Sequence, residues 1–121
     1  MWKEREPLKQ ADDISIPPRQ REALREIKKR LPGKFDIRAL VLYGSFARGQ
    51  ADEESDVDLL VVTARPLSRL ERHEITDVVF DVNLQHDTSF STLVVDLKSW
   101  EGGLFSVLPI RDEIIRDGIH V

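Results

Sequence analysis

The chain of 121 residues contains no cysteine. Disulfide bonds and metal sites built on thiolates are therefore excluded, and a reducing compartment such as the cytoplasm is the expected location. No apolar run approaches the roughly 20 residues that a membrane-spanning helix needs. The first seven residues, Met-Trp-Lys-Glu-Arg-Glu-Pro, also lack the apolar core of a signal peptide. These absences predict a cytoplasmic protein that has no membrane contact.

An excess of basic residues is also missing. The chain has 18 Lys and Arg against 22 Asp and Glu, and its net charge of −4 argues against broad electrostatic binding to nucleic acid. The 40% hydrophobic and 33% charged residues are typical of a globular protein, and the length suits one domain. Residues 1–14 are polar and without a clear period, so we expect a flexible N-terminal arm followed by a single domain over residues 15–121.

The hydrophobic pattern alternates between helical and strand periods. Buried strands are predicted for residues 37–43, 57–63 and 90–97. Helices are predicted from Ser15, a candidate cap, through 16–31, and for residues 69–85 and 110–116. The segment 78–84 is rich enough in β-branched residues to form a strand instead. This order predicts an α/β (α+β) fold, with helices packed against a small mixed sheet.

A phosphate-binding turn is indicated where the first predicted strand ends. Gly44 follows the apolar run, and a glycine there lets the backbone turn sharply. If Ser45 begins a helical turn, the unpaired amides of that turn carry partial positive charge and suit a phosphate group. Arg48 could reach the same phosphates as a two-pronged donor.

Two carboxylates open the next predicted strand. Asp56 and Asp58 are separated by one residue, so on a strand their side chains point to the same side. Carboxylate oxygens are the ligands that Mg²⁺ prefers when triphosphate oxygens complete its coordination. Together with the turn, the pair predicts a site for a metal-bound nucleoside triphosphate.

The spacing of these residues resembles the signature of the DNA polymerase β-like nucleotidyltransferase superfamily, and the short chain resembles its minimal nucleotidyltransferase (MNT) type. The resemblance implies a polymerase β palm-like fold, two Mg²⁺ ions and a nucleoside triphosphate substrate, expected to be ATP. It also implies a helical HEPN protein as a partner, with the MNT protein acting as the antitoxin. The residues that carry it are Gly44 and Ser45, expected with Arg48 to bind the nucleotide. Asp56, separated from Ser45 by ten residues, and Asp58 are expected to bind metal and to be catalytic.

The resemblance also implies a third carboxylate on the strand beside the two aspartates. The corresponding place in residues 90–97 holds Ser91 or Thr92. On a strand, the side chain of Asp96 points to the same side as that of Thr92, but it lies about 13 Å further along. Asp96 could therefore be the third carboxylate only if the strand paired in a shifted register. Asp81 could serve only if the segment 78–84 were a strand.

Two functions remain open. The first is an enzyme that transfers a nucleoside monophosphate, expected to be AMP, to a hydroxyl of a protein or small molecule. The second is a non-catalytic or nucleotide-sensing antitoxin module that works by binding a helical partner protein. A polymerase would need a further domain for which there is no room. Self-association is also open, because a second copy or a partner could complete the pocket.

The apolar residues near the C-terminus bear on the second function. Trp100, Leu104, Phe105 and Val107 are expected in the core. If they were instead exposed as a cluster, they would form a docking surface for a partner protein.

Overall fold

The computed structural model describes residues 9–10, 16–31, 33–49, 52 and 54–121. The predicted arm over residues 1–14 lies outside this part of the chain except for Lys9 and Gln10, and so does the candidate cap Ser15. The described residues form one sheet with helices on both of its faces. This confirms the predicted fold class.

The strands are β1 (Lys9–Gln10), β2 (Ile37–Tyr43), β3 (Val57–Thr63), β4 (Phe90–Asp96) and β5 (Ile119–His120). They form a mixed sheet with the order β1-β5-β2-β3-β4. Strands β1 and β5 pair in parallel, as do β3 and β4, whereas β2 is antiparallel to both of its neighbours. The three predicted strands are confirmed, and the two-residue strands β1 and β5 were not predicted.

Within the described residues, four α-helices accompany the sheet: α1 (Pro18–Arg30), α2 (Arg69–His86), α3 (Leu97–Glu101) and α4 (Pro109–Asp117). Residues 78–84 are therefore helical. The reason lies at the start of α2, where the Glu71 amide donates to Ser68 Oγ (3.2 Å) and the Ser68 amide donates to Glu71 Oε1 (2.9 Å). This capping box stabilises the start of the helix, and the β-branched residues further along the chain are part of the same helix. Helix α3 was not predicted.

The two faces of the sheet have different roles. One face packs against α1 and α2 through residues such as Leu42, Leu59 and Val61. Because neighbouring strand residues point to opposite faces, Val41, Leu60 and Val62 pack on the other face, against Trp100 of α3 and Ile114 of α4. Asp58 lies two residues before Leu60 on the strand, so its side chain belongs to this second face. It lies at the end of β3 where the chain enters the strand.

The apolar C-terminal residues divide into two groups. Trp100 is fully buried, and its ring stacks on Phe105 at 5.5 Å between centroids. Leu104 and Val107 are 80% and 75% exposed, so the expectation of a core position is wrong for them. They belong to a short 3₁₀ turn, Leu104–Val107, which has no buried residue. None of the described helices is both long and apolar enough to cross a membrane.

Candidate active site

The backbone of Gly44 lies directly against the carboxylate of Asp58. Tyr43 is paired with Asp58 across β2 and β3, so the turn that begins at Gly44 starts beside this aspartate. Gly44 has φ +77°, and a Cβ there would collide with Asp58 Oδ2 and lie 3.3 Å from Asp58 Cγ. Only glycine combines the left-handed backbone with this close approach.

Residues 44–49 form a single turn rather than a longer helix. The Arg48 amide donates to the Gly44 carbonyl (3.2 Å), and the Gly49 amide donates to the Phe46 carbonyl (3.1 Å). Phe46 and Ala47 are 4% and 2% exposed, so the core anchors the turn. These two hydrogen bonds do not use the amide of Ser45, which lies at the start of the turn where the amides of a helical turn point outward.

Asp58 lies where the chain enters β3, and Asp56 lies just before the strand, close enough for its charge to act on Asp58. Asp56 is exposed, and Asp58 is partly buried. Burial raises the pKa of the Asp58 carboxyl above its ordinary value, the charges of Asp56 and Glu113 raise it further, and the positive charge of Arg48 lowers it. The site therefore has surplus negative charge, which a cation would neutralise.

The pair of carboxylates fits a magnesium–triphosphate complex better than a bare metal ion. Among the residues that the structure describes, no group of three or more His, Cys, Asp or Glu side chains could hold a metal. Two neighbouring hard oxygen donors are nevertheless what Mg²⁺ uses when phosphate oxygens and water supply the remaining ligands. Asp56 and Asp58 would be the protein ligands of such an ion.

Strand β4 brings a serine, not a carboxylate, to Asp58. The parallel register places Ser91 directly beside Asp58. Asp96 is paired with Thr63, at the opposite end of both strands. Asp96 also caps α3, since it accepts hydrogen bonds from the amide of Ser99 (3.0 Å) and from its hydroxyl (2.8 Å). The shifted register that would have made Asp96 the third carboxylate is therefore excluded.

Asp81 is excluded as a third carboxylate by its helix. It belongs to α2 and pairs with Arg30 of α1 at 2.8 Å, so it connects the two helices on the far face of the sheet. A carboxylate does approach Asp58 from elsewhere: Glu113 of α4 is close enough to influence its pKa.

Glu113 reaches the site through Arg48. The Arg48 Nη1 atom lies 3.1 Å from Glu113 Oε1, in an ion pair that joins the turn at residues 44–49 to α4. The pKa of the Tyr43 hydroxyl is raised by burial and by the charges of Asp58 and Glu113, so this hydroxyl remains protonated at neutral pH. No sequence spacing indicated Glu113, which is 55 residues after Asp58.

Asn83 fixes the start of β4, and the sequence did not indicate this role. Its Oδ1 atom accepts hydrogen bonds from the Phe90 amide (2.9 Å) and the Thr88 hydroxyl (3.0 Å), and its Nδ2 atom donates to the Phe90 carbonyl (3.0 Å). The side chain therefore replaces a neighbouring strand at the free edge of the sheet. Because Ser91 follows Phe90, this contact also fixes the residue beside Asp58.

An open groove runs from Asp56 along this edge of the sheet. Its volume is about 480 Å³, which is within the range of small-molecule sites. Phe80 and Leu84 are 63% and 68% exposed and supply apolar surface. The groove is lined by Asp56, Phe80, Asn83, Leu84, Asp87, Thr88, Ser89, Phe90 and Ser91.

Comparison with known proteins identifies the family. The model of the nucleotidyltransferase domain matches residues 21–108, which is well over half of the chain. The chain belongs to the nucleotidyltransferase domain family. The family expected from the Gly-Ser turn and the two aspartates is thereby confirmed, and both features lie within the matched segment.

Several relatives carry names that refer to AMP transfer. A Methanocaldococcus jannaschii protein, provisionally named a protein adenylyltransferase, is 36% identical over 77 residues, which cover 60% of this chain and 52% of the relative. The protein adenylyltransferase MntA of Thermococcus cleftensis is 50% identical over 34 residues, which cover 28% of this chain and 34% of the relative. The match thus spans about half of the first relative and a third of the second.

Solved structures share the fold. A crystal structure of a toxin–antitoxin complex with AMP-PNP contains a chain that aligns with a TM-score of 0.52 and 19% identity, over 84% of this chain and 70% of that one. A Sulfolobus solfataricus nucleotidyltransferase aligns with a TM-score of 0.51 and 15% identity, over 88% and 87% of the two chains. At these identities the likeness concerns the fold.

The contact between Gly44 and Asp58 predicts that two glycines with left-handed backbones respond differently to alanine. Gly49 has φ +71°, but a Cβ there would meet no atom of the described residues within 4 Å. Gly49→Ala should therefore lower the free energy of unfolding only by the cost of placing alanine in a left-handed backbone, about 1–2 kcal/mol. Gly44→Ala should lose a further 1–3 kcal/mol or so from the collision with Asp58, as measured by urea unfolding. Equal losses in the two variants would contradict the close approach.

The raised pKa of Asp58 predicts that Asp58→Asn stabilises the protein. The folded state binds the Asp58 proton more tightly than the unfolded chain does, so the stability of the wild type falls as pH rises through the Asp58 titration. Without divalent cations, the variant should melt on the order of 2 °C higher at pH 7.

The pH dependence provides the check on that prediction. At about pH 3, where the wild-type carboxyl is protonated in both states, the gain should vanish. Asp77→Asn, at an exposed position in the middle of α2, removes the same charge and should leave the melting temperature unchanged at both pH values. A lower melting temperature for Asp58→Asn at pH 7 would show that the Asp58 charge is stabilising.

Proposed function

We propose that this protein is a Mg²⁺-dependent adenylyltransferase that transfers AMP from ATP to a hydroxyl group of a protein. The contact of Gly44 with Asp58 carries the proposal, because it brings a phosphate-binding turn and a pair of carboxylates to one place. The names of the relatives support AMP as the transferred group. The toxin–antitoxin neighbour supports a role as the antitoxin of a HEPN/MNT pair, with the helical toxin as acceptor.

The chain itself would mainly position the triphosphate. The amide and hydroxyl of Ser45 and the guanidinium of Arg48 would donate to the phosphate oxygens of ATP. Asp56 and Asp58 would hold two Mg²⁺ ions, which supply charge neutralisation for the attacking and leaving oxygens. Such positioning and electrostatics account for most of the catalysis in phosphoryl chemistry.

The reaction forms one bond to phosphorus and breaks one. The hydroxyl oxygen of the acceptor attacks the α-phosphorus of ATP, the bond from that phosphorus to the bridging oxygen breaks, and pyrophosphate leaves. The hydroxyl proton passes to solvent, since Ser91 stands where a carboxylate base was expected. The groove beside Asp56, with Phe80 and Leu84 exposed along it, provides a surface on which the acceptor segment would lie.

A second candidate is a nucleotide-sensing antitoxin module that binds its partner without modifying it. Ser91 favours this alternative, because a site without a third carboxylate lacks the usual base. The exposed side chains of Leu104 and Val107 also favour it, since they provide apolar surface for a partner protein. Under this alternative, loss of Asp56 and Asp58 would leave partner binding intact.

Label transfer distinguishes the two functions. The purified protein, Mg²⁺ and ATP labelled at the α-phosphorus are incubated with an extract of the source organism, and labelled proteins are separated by electrophoresis. We expect an α-labelled protein band, no band with γ-labelled ATP, and loss of the band in Asp56→Asn/Asp58→Asn or when EDTA is added. This follows because the α-phosphate stays on the acceptor whereas the γ-phosphate leaves in pyrophosphate.

Asp112→Asn is the matched control and should label normally, because its carboxylate is exposed on α4. Label from γ-labelled ATP would indicate a kinase instead. If the wild type binds ATP but labels no protein, and the double aspartate variant still binds a partner that the wild type binds, the non-catalytic module is the correct function.

A further inference from the structure

Arg48, the cation expected to contact the triphosphate, is engaged by a carboxylate of this chain. Its Nη1 atom lies 3.1 Å from Glu113 Oε1, and the two side chains are 34% and 38% exposed. Ion pairs that are this accessible are weak, typically below about 1 kcal/mol, so a stronger competitor can displace Glu113. A triphosphate is such a competitor, because its oxygens also bind a guanidinium through two acceptors and carry more charge.

The position of Glu113 shows that this pairing is a feature of the C-terminal segment. Glu113 belongs to α4, outside residues 21–108, which match the family. Helix α4 is fixed on the second face of the sheet by Ile114, which is fully buried, so the neighbouring Glu113 is held in place. Glu113 is not part of a three-carboxylate metal cluster within the described residues, so its contact with Arg48 is the better guide to its role.

We propose that Glu113 is a positioning residue that holds Arg48 while no nucleotide is bound and yields it to the triphosphate. When ATP binds, its phosphate oxygens replace the Glu113 carboxylate at the Arg48 guanidinium. Because ATP must displace Glu113, the ion pair lowers the affinity for ATP. The inference rests on the proposed nucleotide site, and it names the chain's own competitor for that site. No covalent step is involved.

Calorimetric titration with AMP-PNP in the presence of Mg²⁺ tests the exchange in four proteins: wild type, Glu113→Gln, Arg48→Gln and the double variant. Gln keeps the size of Glu but loses the charge that holds Arg48, so Glu113→Gln should bind AMP-PNP about threefold to fivefold more tightly. Arg48→Gln should bind several-fold more weakly. In the Arg48→Gln background, adding Glu113→Gln should improve binding by less than about twofold, because no guanidinium remains to be released.

The control for charge alone is Asp112→Asn, which removes a carboxylate from the same helix at an exposed position and should leave the affinity unchanged. The proposal is overturned if Glu113→Gln binds no more tightly than the wild type, or if its gain is the same with and without Arg48. An equal gain in Asp112→Asn would also overturn it. If the wild type binds no AMP-PNP at all, the proposed nucleotide site itself is wrong. Melting curves confirm that each variant is folded.

Discussion

The approach of the Gly44 backbone to the Asp58 carboxylate is the contact on which the candidate site depends. It results from the antiparallel register of β2 and β3, which pairs Tyr43 with Asp58, and from a backbone conformation at Gly44 that other residues avoid. Residues separated by fourteen positions in the chain thus meet within contact distance. Without this contact, the turn at residues 44–49 and the two aspartates would lie apart.

The sheet places the hydrophobic core and the candidate site in different regions. One face is buried by α1 and α2, and the other by α3 and α4 over most of its length, but the second face stays accessible where β3 begins. There the fold tolerates partly buried Asp58 beside Asp56, at a cost in stability that is common at functional sites. Helix α4, which helps to cover the rest of this face, also places Glu113 beside Arg48. The same C-terminal segment therefore packs on the core and adds a carboxylate to the site.

The sequence predicted what local patterns determine. The three long strands followed from apolar runs and α2 from its capping box, and the spacing of Asp56 and Asp58 led to the prediction of a metal-binding pair. It could not settle whether Asp96 or Asp81 joins that pair, because the register of β4 depends on contacts distant in the chain. In the structure, the Asn83 side chain forms hydrogen bonds with both the amide and the carbonyl of Phe90. These bonds fix the register of β4, which places Ser91 beside Asp58. Glu113 was missed for the same reason: only tertiary packing brings α4 to Arg48.

A crystal structure of the protein with Mg²⁺ and AMP-PNP tests the central claim most directly. The account predicts metal density bound by Asp56 and Asp58, the triphosphate against the amide of Ser45, and the Arg48 guanidinium turned from Glu113 to a phosphate oxygen. Nucleotide bound elsewhere on the protein, with no ion between the two aspartates and the phosphates, would contradict it.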